Sequence, residues 1–164
     1  MESYQRSRPF HRAVRRTAAT RPMAKVYGVI QQPLDRLAFR LTRGRTTASS
    51  WLADVEITML TTTGARTGRP RTVPVLGLPD GGDVILIASN FGRPRNPSWY
   101  HNLRADPRAT VVFDGVTREL VARELDGAER DRGYLRGEEV YPGFIHYRRW
   151  TDREIPVLRL EPPR

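Results

Sequence analysis

Three arginines stand in and just after a glycine-bounded turn in the middle of the chain. Arg66 lies between Gly64 and Gly68, and Arg69 and Arg71 follow in the segment LTTTGARTGRPRTVPV. Glycines let a backbone approach a ligand closely, and successive N–H groups of such a turn can form an anion-binding nest. Arginine adds paired hydrogen bonds to phosphate or carboxylate. The segment therefore predicts an anion-binding turn between two strands, and the alternative is a surface turn with solvated arginines.

A second candidate cluster joins a strand end to the start of a helix in the segment ASNFGRPRNPSWYHN. Its loop contains Arg93 and Arg95, and Pro97 suits the first turn of the helix. A helix N-terminus offers unpaired N–H groups and a partial positive charge to an anion. Trp99 adds a flat apolar surface that serves either a ligand or the hydrophobic core.

Aromatic residues recur at every third position near the C-terminal end, at Tyr141, Phe144, Tyr147 and Trp150. This spacing predicts an aromatic wall along a short helical turn, which either lines a ligand site or seals the core. The hydroxyls of Tyr141 and Tyr147 are suited to donating a proton or orienting a polar substrate.

Several common sequence motifs for nucleotide binding, hydrolysis and metal binding are absent. There is no P-loop, no G-x-G-x-x-G after a strand and no G-x-S-x-G motif. The absence of cysteine excludes disulfides, thiol nucleophiles and cysteine-based metal sites. His11, His101 and His146 lack ligand-like spacing, so we expect no metal. Because neither a secretory signal nor an apolar run of about 18 residues is present, we expect a cytoplasmic protein.

The elements that must position these clusters are mostly strands. Valine-rich and alternating runs predict strands over residues 55–62, 71–78, 83–89, 109–113, 116–124 and 157–160, and helices over 97–105 and 126–136. Asp114-Gly115 is typical of a tight hairpin, and Pro74 marks its strand as an edge or a bulge. Short turns between five or six strands predict a mainly β fold, a small antiparallel barrel over residues 46–164.

The excess positive charge lies near the N-terminus. Residues 1–50 hold 11 basic and 2 acidic side chains, whereas residues 51–164 hold 17 and 16. This near-neutral remainder argues against a nucleic-acid binder, which would have to rely on the arginine-rich tail alone. Within the N-terminal segment 1–45, residues 33–44 predict a basic amphipathic helix. That helix either packs on the barrel or brings residues 1–43 to an anionic surface at the inner face of the cell membrane.

Four ordered blocks then carry a family resemblance over roughly residues 50–162: LTTTGARTGRPR, DGGDVILIAS, NPSWYHNLRADP and YPGFIHYRRWTDREIPV. They resemble the deazaflavin-dependent nitroreductase family, actinobacterial oxidoreductases that use coenzyme F420. The resemblance implies a split β-barrel of the FMN-binding type and hydride transfer from reduced F420 to a quinone or a nitroaromatic compound. Ala65 stands where a basic residue is often seen, which implies phosphate binding that is either weaker or shifted to Arg66. Phe144 stands where the nitroimidazole-reducing member of the family has a tyrosine. This difference argues against reduction of nitroimidazoles and leaves quinone reduction open.

The resemblance also implies the site residues. The implied cofactor contacts are Arg66, Thr67, Arg71, Pro74, Val75, Ile87, Ala88, Ser89, Asn90, Ser98, Trp99, Tyr100 and Asn102. The implied substrate-facing residues are Tyr141, Phe144 and Tyr147, and the candidates for proton supply or substrate orientation are Ser89, Tyr141 and Tyr147. F420 joins a flat ring to an anionic tail, so arginines at one end of a groove and an apolar wall at the other would suit it.

Two other functions remain open besides nucleic-acid binding by the tail. One is a related barrel that binds FMN or uses an NADPH-linked flavin. The other is a barrel that binds deazaflavin or lipid without catalysis. The oligomeric state and the physiological acceptor do not follow from the sequence.

Overall fold

The computed structural model describes residues 57–113 and 115–163, and six strands of this part of the chain close into an antiparallel barrel. The strands are β1 (Ile57–Thr63), β2 (Pro70–Asp80), β3 (Asp83–Ile87), β4 (Arg108–Phe113), β5 (Val116–Glu124) and β6 (Val157–Glu161). Their order around the barrel is β1-β2-β3-β6-β5-β4. Closure pairs strands that would otherwise expose an edge. The predicted mainly β barrel is confirmed.

Three helices accompany the strands in the described residues: α1 (Ser98–Ala105), α2 (Gly127–Val140) and α3 (Gly143–Arg149). Helix α2 continues past the predicted end at Arg136, and its Gly137 packs closely on β3. A Cβ at Gly137 would lie 2.2 Å from Ile87 Cδ1. None of the helices in the described ranges is long and apolar enough to cross a membrane.

Some of the sequence predictions lie outside the described residues. These are the basic N-terminal segment 1–45, its amphipathic helix, the boundary at residue 46 and the membrane contact through residues 1–43. They remain predictions.

Side chains alternate along the strands and form two separate hydrophobic clusters. The interior cluster fills the barrel and includes Leu60, Leu86, Val111, Leu120 and Leu160, with Tyr100 and Leu103 of α1 packed against the strand residues. The outer cluster lies between β3, β6 and the helices α2 and α3, and it includes Ile85, Ile87, Tyr134, Phe144 and Tyr147. Consecutive strand residues point to opposite faces, so Ile87 belongs to the outer cluster and Ala88 to the interior one.

Candidate functional site

The turn between β1 and β2 presents the three predicted arginines to solvent. Arg66, Arg69 and Arg71 are all exposed. Gly68 has φ +63°, a left-handed conformation that favours glycine, and it reverses the chain into β2. The predicted turn between two strands is confirmed, and anion binding by its arginines stays a prediction.

The backbone amides of this turn are largely used within the protein. The Thr67 and Gly68 N–H groups donate to the Gly64 carbonyl at 3.0 and 2.8 Å. The Ala65 N–H donates to Asn102 Oδ1 at 3.0 Å. These amides therefore do not supply a nest of successive free donors, and anion binding here would rely on the arginine side chains.

Asn102 fastens the turn to α1. The residue is buried, and its Nδ2 donates to Thr62 Oγ1 at 3.0 Å while its Oδ1 accepts the Ala65 N–H. At the end of the same helix, Asp106 accepts a hydrogen bond from Thr63 Oγ1 at 3.0 Å. Both polar atoms of Asn102 thus hold the arginine-bearing turn in place, and its direct contact with a cofactor stays a prediction.

Strand β2 lies between β1 and β3, and the ladders described on its two sides cover different parts of it. Residues 70–76 pair with β1, and residues 77–80 pair with β3. Within the described residues, the first half of β2 therefore has ladder partners on the β1 side only. Pro74 lies in this half and has no N–H to donate, which suits an unpaired edge. The edge predicted from Pro74 is confirmed as a local feature of an otherwise closed barrel.

The ladder between β2 and β3 stops before it reaches the first half of β2. If the β2–β3 register continued, Ala88 would lie opposite Val75 and Ser89 opposite Pro74, but pairing ends at Leu86. The Ala88 N–H instead donates to the Pro156 carbonyl at 2.9 Å, on the side of β6. Residues 74–75 of β2 and residues 88–89 after β3 are therefore not paired with each other, and we call the space between these two segments the cleft.

The cleft brings together part of the predicted ring site. Val75, Ala88 and Trp99 all pack on the interior cluster, so residues from β2, the β3 end and α1 converge there. Ser98, the first residue of α1, is exposed. The side chain of Ile87 lies in the outer cluster, so only its backbone borders the cleft.

The Tyr100 side chain, like that of Ile87, points away from the cleft. Its ring is in the interior cluster, and its hydroxyl donates to the Glu124 carboxylate at 3.0 Å. Burial, followed by the hydrogen bond to Glu124, raises the pKa of Tyr100 above its usual value. The structure accounts for Tyr100 as a core residue, and its cofactor contact stays a prediction.

The loop after β3 has an unusual backbone. Ser89 adopts a helical conformation, with φ −66° and ψ −34°, and Asn90, Phe91 and Gly92 follow with φ of 47°, 57° and 69°. Left-handed residues other than glycine are uncommon, and each costs on the order of 1–3 kcal/mol. Such a turn persists only where its surroundings hold it, and Asn90 Nδ2 does so by donating to the Arg95 carbonyl at 2.8 Å.

Arg153 is the principal site residue that sequence reasoning missed. It lies between α3 and β6, and its guanidinium donates to backbone carbonyls of the loop after β3, among them those of Ala88 and Ser89 at 3.0 and 2.7 Å. Burial lowers the pKa of Arg153. No motif or spacing in the sequence marks this contact, because it joins residues more than 60 positions apart.

The predicted aromatic wall is confirmed. Ring centroids of Tyr141 and Phe144 are 5.8 Å apart, those of Phe144 and Tyr147 are 5.9 Å apart, and those of Tyr147 and Trp150 are 5.6 Å apart. The Tyr141 and Tyr147 hydroxyls are 3.3 Å apart, and either can donate to the other. Tyr147 is 2% exposed, and burial raises the pKa of its hydroxyl strongly.

Phe144 is part of the core beneath this wall. It is buried, and its backbone carbonyl accepts a hydrogen bond from the Tyr134 hydroxyl at 2.9 Å. Burial raises the pKa of Tyr134 to about 12. These contacts explain the position of Phe144 by packing, and its contact with a substrate stays a prediction.

The aromatic wall and the cleft meet at the left-handed turn. The Phe91 ring packs edge-on against Tyr147, with centroids 6.0 Å apart. A Cβ at Gly92 would lie 3.1 Å from the Trp150 Cβ, so the loop and the wall touch closely. No three His, Asp or Glu side chains are grouped as metal ligands within residues 57–113 and 115–163, and the expectation of no metal stays a prediction.

An antiparallel barrel that is split beside an arginine-bearing turn and an aromatic wall has the form of a cofactor-binding oxidoreductase barrel. Residues 35–162 match the F420H(2)-dependent quinone reductase family, and the chain belongs to this family. It is therefore an oxidoreductase of the F420-dependent class, as the resemblance implied.

Individual relatives agree with this assignment. An F420H(2)-dependent quinone reductase of Mycobacterium tuberculosis, Rv1261c, is 33% identical over 105 residues, which is 62% of this chain and 70% of the relative. A second protein of that organism named for the same activity, Rv3178, is 33% identical over 97 residues, 59% of this chain and 82% of the relative. The solved structure of an F420-H2 dependent reductase, FDR-A, is 38% identical with a TM-score of 0.61, over 65% of this chain and 94% of that one.

Proposed function

We propose that this protein transfers a hydride from reduced F420 to a quinone, with the cofactor lying along the edge of residues 70–76 of β2 that faces away from β1. The anionic tail would contact Arg66 and Arg71, and the ring would lie between Pro74–Val75 and Ala88–Asn90. The single observation that carries this proposal is that, among residues 57–113 and 115–163, only β1 pairs with residues 70–76, which leaves one strand edge open from the arginine turn to the cleft.

The dimensions of this edge suit an elongated ligand. At about 3.3 Å per residue, the seven steps from Gly68 to Val75 span roughly 20 Å. A hydrogen bond to a charged group contributes about 1.5–3 kcal/mol. Two or three such bonds together with burial of the ring would give roughly micromolar affinity after the cost of association.

The cofactor, when bound, supplies the hydride, and the protein's own groups position the acceptor and manage protons. Because the pKa of Tyr147 is raised, its hydroxyl stays protonated at neutral pH and can donate to Tyr141. Tyr141 is the more exposed member of the pair and would meet an acceptor oxygen first. Ser89, buried at the cleft, is the other candidate for orienting the acceptor.

The proposal also covers the class of electron acceptor and the location of the protein in the cell. Nitroaromatic compounds are a second class of acceptor, since they also take a hydride and a proton. Residues 1–43 would bring the protein to an anionic membrane surface, where lipophilic quinones dissolve. The cytoplasm is the proposed location because the cofactor must be reduced before each turnover.

Titration of the purified protein with F420, followed by steady-state oxidation of F420H2 with menadione, tests the proposal. We expect a fluorescence change that saturates and turnover that requires both menadione and the protein. Binding without turnover would indicate a non-catalytic carrier. No binding, or a purified protein with flavin absorbance near roughly 450 nm, would favour FMN and contradict the proposal.

A further inference from the structure

The structure assigns Arg153 the role of a positioning residue that ends β3 and holds the cleft open. This inference rests on the proposed function, because it concerns the cleft in which we place the cofactor ring. It adds a residue to the site that neither the turn, the cleft walls nor the aromatic wall contains.

Arg153 directs all of its N–H groups at oxygen atoms of the surrounding chain. A guanidinium carries five N–H donors in a fixed planar fork. The acceptors are the Arg93 carbonyl for Nε, Asn96 Oδ1 and the Glu154 carbonyl for Nη1, and the Ala88 and Ser89 carbonyls for Nη2. None of these five acceptors is a carboxylate, so the contacts fix geometry rather than neutralise charge.

The two bonds of Nη2 explain why β3 ends where it does. In an extended antiparallel strand, successive residues direct their carbonyls to opposite neighbours. Ala88 and Ser89 are consecutive, yet both of their carbonyls accept from the same nitrogen, at 3.0 and 2.7 Å. This is possible because Ser89 has left the strand conformation, with φ −66° and ψ −34°. Arg153 thus stabilises the bend at which β3 ends.

The same side chain reaches the other end of the loop. Its bonds to Arg93 and Asn96 lie beyond the left-handed turn Asn90–Gly92. The Arg153 guanidinium, a rigid group, therefore forms hydrogen bonds to the chain both before and after the strained turn. A lysine at position 153 keeps the charge but has only three donors on a single atom, so it could not bracket both sides.

Arg153 is itself firmly placed. The next residue, Glu154, forms an ion pair with Arg130 of α2 at 2.7 Å, and Arg130 Nη2 also donates to the Ile155 carbonyl at 3.1 Å. These contacts of Arg130 fix the backbone next to Arg153 relative to α2, and the Arg153 guanidinium in turn contacts the loop after β3. A residue that only filled space would not require five directed bonds and an anchored backbone.

Native-state hydrogen exchange of the cofactor-free protein tests the holding role without any ligand. We expect Arg153→Lys to accelerate exchange of the Gly92 and Arg93 amides, which donate to the Ser89 and Asn90 carbonyls. The matched control is Arg159→Lys, which alters ion pairs to Asp80 and Asp83 at the opposite end of β3. Unchanged exchange in Arg153→Lys, or equal acceleration in both variants, would overturn the assignment.

F420 titration at a temperature where every variant is folded tests the consequence for the cleft. We expect Arg153→Lys to raise the Kd for F420 and the KM for F420H2 about tenfold while the KM for menadione changes by less than roughly twofold. Arg159→Lys should leave the Kd for F420 unchanged even though it lowers thermal stability. Failure of the wild-type protein to bind F420 would reject the proposed function, whereas wild-type binding with an unaltered Kd in Arg153→Lys would reject the role of Arg153 alone.

Discussion

Arg66 and Arg71 lie on the exposed surface at the start of β2, and Tyr141 and Tyr147 form a hydroxyl pair at the aromatic wall. The two pairs suit different tasks because their surroundings differ. Solvated guanidinium groups are free to bind an incoming anion. A buried tyrosine keeps its proton, so it orients its neighbour rather than ionising.

Replacing both Arg66 and Arg71 by alanine should raise the Kd for F420 about tenfold or more, because two charge-assisted contacts to the tail are lost. Fluorescence titration at modest salt measures this change. Arg132→Ala, which removes an exposed arginine of α2, is the matched control and should leave the Kd unaltered. Equal affinities for the double variant and the wild type would show that these arginines do not bind the tail.

Tyr141→Phe should lower kcat for menadione reduction roughly 10–100-fold and leave the Kd for F420 unchanged, as expected for loss of a proton donor. Tyr147→Phe should have a smaller effect, since its hydroxyl acts through Tyr141. Tyr134→Phe removes a hydroxyl of the same cluster that bonds a backbone carbonyl instead, and it serves as the control. If kcat is the same in all three variants, the hydroxyl pair has no part in the reaction.

At the scale of elements, α1 holds the turn and the loop after β3 shapes the cleft. Asn102 connects α1 to both strand β1 and the turn, so a residue of the helix fixes the position of the turn that bears the arginines. The cleft lies where the described β2–β3 ladder stops at Gly77, and Pro74 offers no N–H donor that would extend this ladder.

Asn102→Ala should lower the free energy of unfolding by about 1–3 kcal/mol, because the Ala65 N–H and the Thr62 hydroxyl lose their partner in a buried site. It should also weaken F420 binding, since the turn would no longer be fixed. Urea unfolding and titration measure the two effects. His101→Ala, an exposed change on the same helix, should alter neither one much. A stability loss with unchanged affinity would mean that the turn adopts its binding form without α1.

At the scale of the whole molecule, the barrel and the outer helices enclose tyrosines that ionise at different pH in the folded and unfolded protein. Burial raises the pKa of Tyr134 from 10.0 to about 12, and it raises that of Tyr147 further. The neutral hydroxyl is favoured by folding, so this contribution to stability is complete below pH 10 and is lost as the pH rises toward the folded pKa.

The free energy of unfolding should therefore fall between about pH 8 and pH 11, and Tyr134→Phe should lose about 1 kcal/mol less over this interval than the wild type. Urea titrations of both proteins at the two pH values measure the difference. Equal losses would show that Tyr134 ionises in the folded protein as it does in the unfolded chain.

The sequence predicts those parts of the molecule that depend on neighbouring residues. Alternating apolar residues define the strands, and the edge at Pro74 follows from its missing N–H. The opposite orientations of Ile87 and Ala88 also follow from strand periodicity, so the outward position of Ile87 was available from the sequence. By contrast, Arg153 donates to carbonyls distant in the chain, and the left-handed Phe91 packs on Tyr147, which is also distant in the chain. Such features can be recognised only once the folded structure shows which distant residues are in contact.

A crystal structure of the protein with bound F420 tests the central claim most directly. We expect the deazaflavin ring between Val75 and Ala88, with atoms of both residues within about 4 Å of the ring and the anionic tail beside Arg66 and Arg71. A ring bound outside the cleft, or β2 and the end of β3 paired across it in the complex, would contradict the account.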